Sequence, residues 1–141
     1  MKDMRARLST LWIFAMLNYL YCDIVGLMDS GQLRQFLAGR VGGMDIGQEF
    51  LLGASVLMEL PIAMIVLSRL LKHRANRLAN IVVGSVMTVV QTATLFTGSP
   101  AAYYVFFSVI EIACTVLIVR CAWTWRVETI APAARPAPTA G

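Results

Sequence analysis

Charge is scarce in this chain. Asp, Glu, Lys and Arg make up 14% of it, against about 25% in an average soluble domain. A chain this poor in charge cannot cover a water-facing surface of ordinary polarity, which excludes a soluble globular fold. Cysteine is limited to Cys22, Cys114 and Cys121, all inside or beside apolar segments and none in a C-x-x-C pair. That argues against a thiol-redox enzyme and leaves three small buried side chains. Histidine occurs once, as His73 in a basic segment, where it reads as solvated or headgroup-facing rather than as a metal or haem ligand. There is no P-loop, no GxSxG and no HExxH. No metal and no cofactor are expected. The net charge of +4 and pI near 9.3 come without an aromatic-and-basic groove pattern, so no nucleic-acid partner is expected either.

What the chain has is apolar length. Hydrophobic residues make up 58% of it, and the mean hydropathy is +0.70. They fall in four runs, at about 8–28, 50–71, 78–96 and 101–123. About 20 apolar residues cross a bilayer as a helix, so the expected fold is all-α, a transmembrane four-helix bundle within residues 1–128. The first run follows MKDMRAR, but no A-x-A-like site follows it and Tyr21 precedes Cys22, so it reads as a retained span rather than a signal peptide. Pro61 interrupts the second run, which membrane helices tolerate. Residues 29–47 form the longest polar interval, a loop with a short interfacial helix near Gln32–Leu37. Asn76 and Asn80 are placed to cap the third span. The Pro/Ala-rich residues 129–141 read as a disordered tail.

Basic residues orient the bundle. Ten of the twelve fall at the N-terminus, around the 71–77 turn and at the C-terminal end; only Arg34 and Arg40 lie on the other side. The positive-inside rule then places both termini in the cytoplasm, with 29–47 and 97–100 facing outward. The expected location is the cell inner membrane. The bilayer itself is one partner; a second copy or another membrane protein is the other class weighed.

Polar residues inside the spans are the candidate site. At 1.5 Å per residue, Glu59 and Glu111 reach similar depth near midplane from two different helices. Helical periodicity puts Ser55 and Glu59 on one stripe, Tyr104, Ser108, Glu111 and Thr115 on another, and Gly84, Thr88 and Gln91 on a third. On the first span, Trp12, Tyr19 and Asp23 align, with Asn18 offset. These stripes are expected to face the bundle interior. A carboxylate at the bilayer centre costs about 2.5–3.5 kcal/mol on insertion scales, and no Lys or Arg stands at midplane to offset it. Three states satisfy the physics: both acids protonated, one proton shared, or a bound cation. The ligand-site candidates are therefore Glu59, Glu111, Asp23, Asn18, Gln91, Tyr104, Ser55 and Thr88. The second and fourth spans also echo one another, as SVLMELPIA and SVIEIA, a likeness that either a duplicated hairpin or the chance similarity of apolar helices produces.

The segments LWIFAMLNYLYCDIVGLMD, MELPIAMIVLSRLLKHRANRLANI and YYVFFSVIEIACTVLIV together resemble a family of small, uncharacterised bacterial four-helix membrane proteins, and in outline the DoxX-like group. The resemblance covers nearly all of the chain to Arg126 and implies a bacterial inner-membrane location. It carries no activity and no site residues. Three functions fit the residues. The first is binding or transport of a small cationic or amphipathic solute in an interhelical cavity. The second is an accessory or structural subunit. The third is a membrane enzyme using paired acids on a lipid-like substrate, and no catalytic residue can be assigned to it.

Overall fold

A computed structural model describes residues 2–126; the tail expected at 129–141 lies outside them. Four long helices dominate: α1 (Lys2–Met28), α3 (Gln48–Leu70), α4 (His73–Leu95) and α5 (Ala102–Thr124). All four are long and apolar enough to cross a membrane. Between α1 and α3 lie a short helix α2 (Ser30–Leu37) and a hairpin of β1 (Arg40–Val41) and β2 (Met44–Asp45). The turn joining α3 to α4, the N-terminal end of α1 and the C-terminal end of α5 share one end of the bundle, the turn end. The hairpin, α2 and the 96–101 connection share the other, the hairpin end.

The packing follows from heptad-like seams. Leu8, Trp12, Ala15, Tyr19, Cys22 and Gly26 are buried along α1, and Ser108, Glu111, Thr115, Ile118 and Ala122 along α5. Alternating steps of three and four keep one stripe toward a neighbour over the length of a helix. Helix α1 packs on both α3 and α5, and α4 packs most extensively on α5. Gly84 allows that last approach: a Cβ there would stand 2.7 Å from Val119 Cγ2 and 3.5 Å from the Thr115 carbonyl oxygen.

Helix α3 differs. Its buried residues are Pro61, Met64 and Ser68, all in the half nearest the turn, and residues 48–60 bury none. The fully buried part of the α3 seam therefore starts at Pro61; before it Leu57 and Met58 are only partly buried against the core, and residues 48–56 are exposed.

The polar interval is more ordered than a plain loop. Asp29 caps α2, its Oδ1 accepting from the amides of Gly31 (2.8 Å) and Gln32 (3.4 Å). The hairpin turns on Gly42 and Gly43, with φ of 54° and 84°; two consecutive positive φ values make a primed turn that matches strand twist, which glycine adopts without strain. The Gly42-Gly43 pair is the sequence signal for these strands, which replace the plain loop expected over this part of 29–47.

Candidate functional site

Two kinds of buried polar group occupy the interior. Near the turn end, Trp12 Nε1 donates to Asn80 Oδ1 at 2.7 Å, and Ser68 Oγ donates to the same oxygen at 3.3 Å. Asn80 Nδ2 donates to Asn76 Oδ1 at 2.7 Å, and Asn76 Nδ2 donates to the Ser68 carbonyl. Ser9 Oγ donates to the Ile65 carbonyl and accepts from Arg69 Nε, at 2.8 and 3.0 Å. This network ties α1, α3 and α4 together. It also corrects the reading of Asn76 and Asn80 as caps. Helix α4 begins at His73, so both asparagines lie inside it, fully buried, and their amides join helices instead of closing one end.

The α4–α5 interface is closed by a second set. Thr88 Oγ1 donates to Thr115 Oγ1 at 2.8 Å, and Thr115 Oγ1 donates to the Glu111 backbone carbonyl at 3.0 Å. Gln91 Nε2 donates to Ser108 Oγ at 2.7 Å, and the Tyr104 hydroxyl donates to Thr94 Oγ1 at 2.7 Å. Three candidates, Thr88, Gln91 and Tyr104, are thus engaged in holding α4 against α5.

Glu111 is the exception. Eight polar side chains are buried among the described residues, and Glu111 alone has no hydrogen-bond partner; both carboxyl oxygens are orphaned. The Tyr19 hydroxyl, on the buried seam of α1, is orphaned as well. Tyr19 and Glu111 belong to the packed helices α1 and α5, and the Glu111 carboxyl is within electrostatic reach of Tyr19, Cys22 and Asp23. The Cys114 thiol donates weakly to the Leu11 carbonyl at 3.4 Å, closing the same interface one turn nearer the turn end.

A cleft of 780 Å³ lies toward the hairpin end of this pair. Cys22, Asp23 and Gly26 line it from α1, and Tyr103 and Tyr104 from α5. Gln32 and Phe36 of α2, with the 97–101 connection, form its roof. Tyr19 lies one helical turn below Cys22 and Asp23. Glu111 lies two turns below Tyr104, about 10 Å along the axis. The column from cleft to bundle centre thus runs Asp23, Tyr19, Glu111. The sequence reading missed Tyr19 as a site residue, although a tyrosine in mid-span, away from either interfacial belt, was the signal for it.

The remaining candidates stand apart. Glu59 and Ser55 are exposed on the hairpin-end half of α3, and Ser55 Oγ donates to its own helix at the Leu51 carbonyl. The expectation that the Ser55–Glu59 stripe faces the interior beside Glu111 is therefore overturned. In this half of α3 Leu57 and Met58 carry what packing there is against the core, and the Ser55–Glu59 stripe is left exposed. Asn18 is half-buried, and its amide donates to the Phe14 carbonyl of the same helix. Asp23 is exposed at the lip of the cleft. No group of His, Cys, Asp and Glu able to hold a metal ion occurs among the described residues.

Four spanning helices packed on these seams make this a multi-pass integral membrane protein. The chain belongs to DUF6326, a family of unknown function, whose model matches residues 1–132. No curated protein and no solved structure matches it.

Proposed function

We propose that this protein binds a small cationic amphiphile, entering through the cleft at the hairpin end and seated against Glu111. The supporting observation is the Glu111 carboxyl, fully buried with neither oxygen hydrogen-bonded, beside a Tyr19 hydroxyl that is also without a partner. An orphaned carboxyl in a dry interface is neutral as the acid, or ionised with a cation beside it. The Tyr19 hydroxyl supplies a second polar contact, Tyr103 and Tyr104 supply aromatic faces for an organic cation, and Asp23 attracts positive charge at the mouth. Entry of the cation displaces the Glu111 proton, which couples binding to proton release and gives a route to exchange transport. The same proposal places the protein in a bacterial inner membrane, termini cytoplasmic and cleft outward, on the distribution of Lys and Arg. A DoxX-like relationship belongs to it too, resting on the four-span outline alone.

The test is equilibrium binding of tetraphenylphosphonium to the protein in neutral-lipid nanodiscs, with proton release followed in weak buffer. Saturable binding that releases a proton is expected. Glu111→Gln should weaken it by about thirtyfold, the loss of about 2 kcal/mol expected when a buried charge contact is removed. Unchanged affinity in a Glu111→Gln protein that melts like the wild type overturns the reading.

One observation favours an accessory role as the second reading. Glu59 is exposed in the middle of a span, where a bare carboxyl is unfavourable. A partner helix bringing a hydrogen-bond donor to the hairpin-end half of α3 removes that cost. Co-purification of such a partner, lost on Glu59→Leu, supports this reading; a wild type that purifies alone and monomeric counts against it.

A further inference from the structure

The turn end carries a second, independent concavity. Its volume is 640 Å³, and His73, Arg74, Arg77, Trp125 and Arg126 line its rim, with Leu78 and Ile81 further along α4. Three guanidinium groups converge here from the start of α4 and the end of α5. The only ion pair among the described residues is Arg40–Asp45, at the opposite end of the molecule, so no described carboxylate neutralises the three.

The pocket is built rather than incidental. Trp125 is buried, and the His73 ring packs edge-on against it at 4.6 Å between centroids. Arg77 is held by a hydrogen bond from its Nη2 to the Trp123 carbonyl at 3.0 Å and lies over the Trp123 ring at 6.0 Å. His73 Nε2 is buried with no partner. Lys72 makes no side-chain cap on α4, so the first amides of that helix are also unclaimed by any side chain. Positive charge, an orphaned imidazole nitrogen and uncapped amides all suit a phosphate oxyanion.

The order of the lining selects among phosphates. Along α4 it passes from His73, Arg74 and Arg77 to Leu78 and Ile81, from cationic to apolar in the direction that enters the bilayer. A soluble phosphate uses only the first part. A phospholipid uses both, its headgroup phosphate among the arginines and the start of its acyl chain on Leu78 and Ile81. We infer that this pocket is a specific site for an anionic phospholipid, with His73, Arg74, Arg77 and Arg126 on the phosphate and Trp125 as its wall. The site is distinct from the Glu111 cleft and stands whether or not that cleft binds a cation.

The experiment uses the full chain in nanodiscs of mixed phosphatidylglycerol and phosphatidylcholine, with retained lipid counted by native mass spectrometry. Enrichment of phosphatidylglycerol over its bulk fraction is expected. Each arginine near a membrane surface contributes about fivefold to binding of anionic lipid, so the Arg74→Gln, Arg126→Gln protein should lose about twenty-five-fold. Both residues are exposed, and Arg77 is left intact to keep its bond to Trp123. The Arg34→Gln, Arg40→Gln protein removes the same charge from the opposite end and should retain full enrichment. Equal loss in both proteins makes the effect one of net charge and overturns the site. Inorganic phosphate is the second arm: if it displaces the retained lipid at millimolar concentration, the pocket serves a soluble anion and the lipid assignment falls. Wild-type enrichment in the Arg74→Gln, Arg126→Gln protein also overturns it.

Discussion

Two regions of the interior, the α1–α3–α4 junction near the turn and the Tyr19–Glu111 region between α1 and α5, treat buried polarity in opposite ways. Toward the turn end, Trp12, Ser68, Asn76 and Asn80 share a continuous set of hydrogen bonds among three helices. Toward the bundle centre, Tyr19 of α1 and Glu111 of α5 have no partner, although across α4 and α5 in the same half Gln91 bonds Ser108 and Tyr104 bonds Thr94. Polar groups in the first region act as joints. Tyr19 and Glu111 leave capacity unspent, and unspent capacity inside a membrane is where a ligand can gain free energy. Depth alone does not separate the two kinds; partnership does.

That contrast can be broken by mutation, and the largest effect belongs to the joint. Asn80→Ala leaves the Trp12 indole N–H and the Ser68 hydroxyl without their acceptor, so it should lower stability by about 3 kcal/mol in a reversible unfolding titration in bicelles. Gly84→Leu forces side-chain atoms against Val119 and the Thr115 backbone; a loss of about 2 kcal/mol is expected by the same measurement. Thr88→Val removes one α4–α5 hydrogen bond and should cost about 0.6 kcal/mol, the usual worth of such a bond in a membrane. Glu111→Gln closes the series. It removes no hydrogen bond of the carboxyl, so its melting temperature should match the wild type within error while cation binding weakens about thirtyfold. A Glu111→Gln protein as unstable as Asn80→Ala would make Glu111 a joint like the others and erase the contrast.

Glu59 and Glu111 show where reading along a chain stops. They sit in the nearly repeated strings SVLMELPIA and SVIEIA, at similar depth, each on a stripe of small and polar residues. One is fully buried and the other exposed. Period locates a stripe on a helix but says nothing of what covers it. The stripe of α5 meets α1 and α4, whereas the Ser55–Glu59 stripe of α3 is left exposed. Asn76 and Asn80 make the same point from the other side. Near a helix start, an asparagine is a natural cap, and only the beginning of α4 at His73 moved both into the interior. The inward faces of α4 and α5 were legible, because Gly84, Thr88, Gln91, Ser108 and Thr115 are small or polar at helical spacing in otherwise apolar runs. Tyr19 was legible as an inward-facing residue of α1, but its lack of a partner was not, being a property of its surroundings.

By itself, then, the sequence determined that this chain is a four-helix membrane protein. Apolar runs of spanning length leave no other fold, since every backbone group in hydrocarbon must be paired within its own helix. It also determined which residues are costly at depth, because the cost of a buried carboxyl is a property of the residue and its position. Only the tertiary structure decided which of two similar acids is enclosed. That choice rests on the α1–α5 seam running the length of the bundle and the fully buried part of the α3 seam starting at Pro61. It is a matter of which helix lies beside which, and no single helix encodes it.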